Sequence, residues 1–168
     1  MLRKHRKASE KDCNIANRGG AKGASTEGYA SKVINQQELQ SGVAAFVEAF
    51  NRAHFFDAHE VLEDVWRALA RDGPRDRPSR RHLQGMVQLA VAFHHESTDN
   101  HVGARSVLER AMRNLNGADS SFPDLDLDRL RAELALWRRY LDDSEGALGG
   151  RDVRRHAAPA LPKIMLRR

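Results

Sequence analysis

Two short stretches of this chain carry residue types that could do chemistry at helical spacing. In Ala58-His-Glu-Val-Leu-Glu-Asp-Val-Trp66, His59 and Glu63 stand one turn apart, so an imidazole and a carboxylate share one side of a helix. In Leu83-Gln-Gly-Met-Val-Gln-Leu-Ala-Val-Ala-Phe-His-His95, Gln84, Gln88 and His95 fall within about 40° of one another, a polar stripe on an otherwise apolar helix. Facing each other, the two stripes would form a closed His/Glu/Gln network. Such a buried polar cluster would fix one packing register without any ligand. The same residues also invite a chemical reading. Two histidines and a carboxylate suffice to hold zinc or iron with one position open, which makes His59, Glu63 and His95 the candidate metal ligands. His59 and Glu63 are equally the candidates for general acid-base catalysis.

Neither motif matches a known metal signature. Glu63 stands where HExxH would place its second histidine, and the chain has no Glu-x-x-His pair of the di-iron kind. Arg18-Gly-Gly-Ala-Lys-Gly-Ala-Ser-Thr26 lacks the spacing of a phosphate-binding loop, and no apolar strand precedes it. His94 lies about 100° from His95, so the doublet cannot aim both rings at one point. Trp66 and Trp137 recur at helical spacing and read as core.

The elements that must position these residues are helices. Leu39, Val43, Phe46 and Phe50 predict an amphipathic helix over about 36–52, and a second runs over about 55–71 until Gly73, Pro74 and Pro78 stop it. The central helix, about 79–97, is apolar over so much of its surface that it is expected to be buried on every side. Asp99 or Asn100 suits the cap of a fourth helix ending near Asn114, and Leu127, Leu130, Leu134, Trp137 and Leu141 mark a fifth. The fold expected is all-α, a compact bundle of about five helices. Ala58–Arg67 and Ala104–Arg113 match at five of ten positions, 46 residues apart, so the first four helices read as two related hairpins followed by a C-terminal helix. In that comparison Glu63 meets Glu109, while His59 meets Arg105 and Trp66 meets Met112.

Charge divides the chain. Residues 1–40 carry a net +4, residues 151–168 a net +5 and the middle −4. We therefore expect a flexible basic arm over 1–35, a helical domain over 36–145 and a basic tail over 146–168, in which Leu161-Pro-Lys-Ile-Met-Leu166 is apolar enough to dock on the body. Basic arms give weak, nonspecific and salt-sensitive nucleic-acid binding at most. Cys13 is the only cysteine, so no internal disulfide forms, as suits a cytoplasmic protein. No apolar run approaches the ~20 residues of a membrane span, and no membrane association is expected.

His59-Glu-x-x-Glu63-x-x-Trp66 followed by Gln84-Gly-x-x-Gln88-x-Ala90-x-x-x-x-His95 resembles the pattern of a helical family known as domain of unknown function 309. The likeness covers roughly Val43 to Leu141. It implies a small all-helical fold of mainly prokaryotic distribution with no established activity. By that resemblance the characteristic positions are His59, Glu60, Glu63, Trp66, Gln84, Gly85, Gln88 and His95. Asp57 stands where the family more often has Glu, and Asp99 where a glycine is common.

Two functions stand against each other at this point. One is a non-catalytic binding or scaffold module for a protein partner or small ligand, held together by the polar cluster and needing no cofactor. The other is a metal-dependent enzyme, a hydrolase, using a divalent ion at the same residues.

Overall fold

The computed structural model describes residues 36–69, 80–147 and 157–167. The expected N-terminal arm, the proline-bearing stretch after the second helix and most of the link to the tail lie outside them. Among these residues five helices follow in order: α1 (Gln36–Asn51), α2 (Phe55–Ala68), α3 (Arg80–Ser97), α4 (His101–Asn114) and α5 (Leu127–Ala147), with a 3-10 turn at Ala118–Ser120. α5 thus continues past the boundary expected at 145.

Each helix forms because one stripe of its sequence can be buried. Leu39, Phe46 and Phe50 of α1, Leu62 and Val65 of α2, Leu83, Met86, Leu89 and Phe93 of α3, Leu108 of α4 and Leu130, Leu134, Trp137 and Leu141 of α5 meet in one core. Phe50, Phe55, Phe93 and Trp137 interlock edge to face or tilted, with ring centroids 5.1–5.8 Å apart. These are the geometries favoured by the ring quadrupoles. α3 packs against α2 on one flank and α4 on the other, and α5 lies against α4. The bundle is all-α, as the spacing predicts.

The connections are short and locally determined. α1 ends with Ala53 at φ 62°, left-handed backbone that lets the amide of His54 reach back to the carbonyl of Ala49 at 3.0 Å. Between α3 and α4, Asp99 adopts φ 57°. This is where the family resemblance puts a glycine, and aspartate is among the few other residues that tolerate it. Asn100 then caps α4, its side-chain oxygen accepting from the amide of Gly103 at 2.9 Å.

The segment 157–167 lies on the helices in extended form. Leu166 bridges Leu125 in antiparallel fashion, and Ile164 is 2 % exposed within the core.

Candidate functional site

α3 is not buried on every side. Leu83, Gly85, Met86, Leu89, Ala90, Ala92 and Phe93 are buried, while Gln84, Val87, Gln88, Val91, His94 and His95 are partly exposed. On the helical wheel the exposed set covers an arc of roughly 120°. Val87 and Val91 are what make the sequence look apolar all round, yet both lie on this open arc. The arc forms the floor of a face bordered by α2 and α4.

The α2 border is the stripe Phe56, His59, Glu63 and Trp66. His59 Nε2 lies 2.9 Å from Glu63 Oε2, and Arg67 donates to the other carboxylate oxygen at 2.7 Å. Both oxygens of Glu63 are therefore engaged by its own helix. Phe56 is 52 % exposed, and its ring stands 6.2 Å from that of His59 and 5.7 Å from that of His94, linking α2 to α3 across the surface. At the other end Trp66 donates from Nε1 to the carbonyl of Arg80 at 3.2 Å. The Arg80 guanidinium sits 4.2 Å from the centre of the indole ring, a cation–π contact that ties the end of α2 to the start of α3.

The α4 border takes the polar stripe of α3. Asn114 donates its amide to Gln88 Oε1 at 2.9 Å, and Arg81 donates to the carbonyl of Arg113 at 2.6 Å. The Asn100 amide lies 3.1 Å from His95 Nδ1, so the cap of α4 also orients this ring. Burial holds the His95 pKa below the ordinary imidazole value, and repulsion from His94 adds to the effect. A neutral ring with Nδ1 free to accept is what the Asn100 contact requires. Gly85 is buried because α4 crosses close by: a Cβ there would stand 2.9 Å from Leu115 and 3.1 Å from Asn114.

These contacts correct three expectations. The closed network between α2 and α3 does not form, because Gln88 and His95 turn toward α4 while His59 and Glu63 pair along α2. Nor is the cluster buried: among the described residues no polar or charged side chain falls in the buried class. A half-exposed surface arises because α3 spends its flanks on its two neighbours and nothing among the described residues lies over the arc between them. The metal ligand set His59, Glu63 and His95 is not assembled either. Among the described residues no three His, Cys, Asp or Glu side chains are grouped so as to hold an ion.

Gln84 lies on the floor and Glu60 is exposed on α2 beside the stripe. The pattern of residue types does not reveal that Asn114 and Asn100 complete the α4 border. Asn100 is visible as a cap, but Asn114 reads only as a helix end.

Comparison with known proteins places this face in context. Residues 43–107 match the model of a family described as Domain of unknown function (DUF309). Uncharacterized protein YpuF of Bacillus subtilis (strain 168) is 34% identical over 85 residues, which is 51% of this chain and 46% of that protein. An uncharacterized protein of Aquifex aeolicus (strain VF5) is 26% identical over 86 residues, 51% of this chain and 24% of that one. The chain thus spans less than half the length of the curated relatives it matches. Residues 43–107 hold the α2 border, the whole of the α3 floor and the cap of α4, and it is over this stretch that the chain resembles the DUF309 family.

Proposed function

We propose that this protein is a non-catalytic helical binding module whose α2–α3 face receives a helix of a protein partner. One observation carries the reading. The two matching helices bury the same positions, Ala58 and Leu62 in α2 and Ala104 and Leu108 in α4, and turn the same stripe away from the shared core. In α4 that stripe is paired across to another helix: Arg105 pairs with Asp142 at 2.5 Å and Glu109 faces Arg138 at 3.6 Å, both partners being on α5. In α2 the corresponding residues, His59 and Glu63, pair among the described residues within their own helix, beside the exposed ring of Phe56. A partner helix laid along α2 as α5 lies along α4 would bury Phe56 and find His59, Glu63 and Arg67 as polar contacts. An aromatic residue flanked by charged groups is a common form for the anchor of a protein interface.

No helix among the described residues is long and apolar enough to cross a membrane. A single cysteine accords with a cytoplasmic setting for the interaction.

A metal-dependent hydrolase would need His59, Glu63 and His95 drawn together on one ion, a grouping not found among the described residues. Metal analysis of protein purified without added metal separates the two. Stoichiometric zinc, iron or manganese that is lost in both His59→Ala and His95→Ala would overturn the binding-module reading. The module is tested directly by native mass spectrometry of complexes isolated from producing cells. Phe56→Asp and Glu63→Lys should strip a stoichiometric partner that Leu136→Asp, at a comparably exposed site on α5, retains; equal retention in all three would contradict it.

A further inference from the structure

The tail segment 157–167 is held in a way that does not depend on its being part of this chain. Most of its polar contacts fall on its main chain, the side chains of Lys163 and Arg167 adding a contact to the carbonyl of Asn51 and ion pairs to Asp119 and Asp128. Asn51, at the end of α1, donates its amide to the carbonyl of Ile164 at 2.8 Å and accepts from the Ile164 amide at 2.8 Å, much as a neighbouring strand would. Trp137 donates to the carbonyl of Ala160 at 3.0 Å, and Glu133 accepts from the amide of Lys163 at 2.9 Å. The backbone amide of Asp126 donates to the carbonyl of Met165 and that of Arg167 to the carbonyl of Asp124, each at 2.8 Å, on either side of the Leu125–Leu166 bridge.

Specificity rests on few side chains. Pro162 and Ile164 turn inward and are buried, while Leu161, Met165 and Leu166 are 40%, 41% and 69% exposed. Lys163 reaches the carbonyl of Asn51, where the free carbonyls of a helix end favour a cation. Main-chain pairing for affinity with one or two side-chain pockets for selection is the physics of grooves that bind extended peptides.

We propose that the seam between the end of α1 and the start of α5 is a peptide-binding groove, that the chain's own tail occupies it as a tethered ligand, and that it accepts in trans an extended segment of the pattern Pro-basic-aliphatic found at Pro162-Lys163-Ile164. Tethering gives the tail a high effective concentration, on the order of millimolar for a short link. The tail therefore guards the groove, and an outside peptide enters when the tail is weakened. This site is separate from the α2–α3 face and stands or falls independently of it.

The test uses the full chain and a fluorescent synthetic peptide of residues 157–168, followed by anisotropy. The chain carrying Ile164→Asp should bind the peptide at least about tenfold more tightly than the unchanged chain does, because its own tail no longer competes. Adding Asn51→Ala to that chain, or Ile164→Asp to the peptide, should weaken binding by about tenfold or more. Equal binding to both chains, or no binding to an Ile164→Asp chain whose helical circular dichroism is intact, would overturn the proposal. Should Ile164→Asp lose helical signal, Lys163→Glu weakens the tail from its exposed side and the same outcomes decide.

Discussion

His95 and His82 are both held toward the neutral form in the folded chain. Burial is the first cause in each, followed by His94 for the one and Arg81 for the other. In the unfolded chain both titrate at the ordinary imidazole value, so as the pH falls the unfolded state takes up protons first. Their contribution to stability is present above that value and is lost as the pH falls from it through the lower value of the folded chain. Urea unfolding across this range should show stability falling toward acid. The slope should flatten in His95→Gln, which keeps an acceptor for Asn100, and an unchanged slope in a His82→Gln, His95→Gln double variant would refute the assignment. Ala53 tests the backbone in the same way. Its φ of 62° is costly for a residue with a Cβ, so Ala53→Gly should raise stability by about 0.5–1 kcal/mol despite the added chain entropy, seen as a higher thermal midpoint. Gly85 is the converse case: Gly85→Ala gains helix propensity but drives a methyl against Leu115 and Asn114, and a net loss of about 1–3 kcal/mol is expected on urea unfolding.

Between elements, the decisive contact is the one the α3 stripe makes with α4. A Gln88→Ala, Asn114→Ala double-mutant cycle should show coupling of about 0.5–1.5 kcal/mol, whereas a His59→Ala, Gln88→Ala cycle should be additive. The reverse result would restore a network between α2 and α3. The starts and ends of the helices were legible because they are set by local chemistry: the three-four spacing of Leu39, Val43, Phe46 and Phe50, the cap at Asn100, and the inability of residues near Pro162 to continue a helix. The extended docking of Leu161–Leu166 was legible for the same reason. What the residue types could not convey is which neighbour a stripe meets. Val87 and Val91 look like core by type, but their exposure follows from the positions of α2 and α4 around α3. The turn of Gln88 and His95 toward α4 likewise depends on where Asn114 and Asn100 arrive from, some 26 and 5 residues further along the chain. Spacing groups residues on a face; packing decides what the face sees.

At the scale of the whole molecule, the described residues form a helical bundle in which the two matching helices, α2 and α4, are treated unequally. α5 supplies ion-pair partners to the outer stripe of α4, and the segment 157–167 closes the seam between α1 and α5, while among the described residues the ion pairs of the α2 stripe stay within its own helix. The central claim is that this stripe, together with the α3 arc beside it, is where a partner helix binds. It is tested most directly by site-specific photo-cross-linking in producing cells, with a photoreactive phenylalanine analogue placed at Phe56 and, as the reference, at Leu136. The two sites have similar exposure, 52% and 53%, so a difference between them reports on the face and not on accessibility. A discrete adduct from position 56, mapped by mass spectrometry to a helical segment of another chain and absent from position 136, is the predicted result. Adducts from position 136 and none from position 56 would contradict the account.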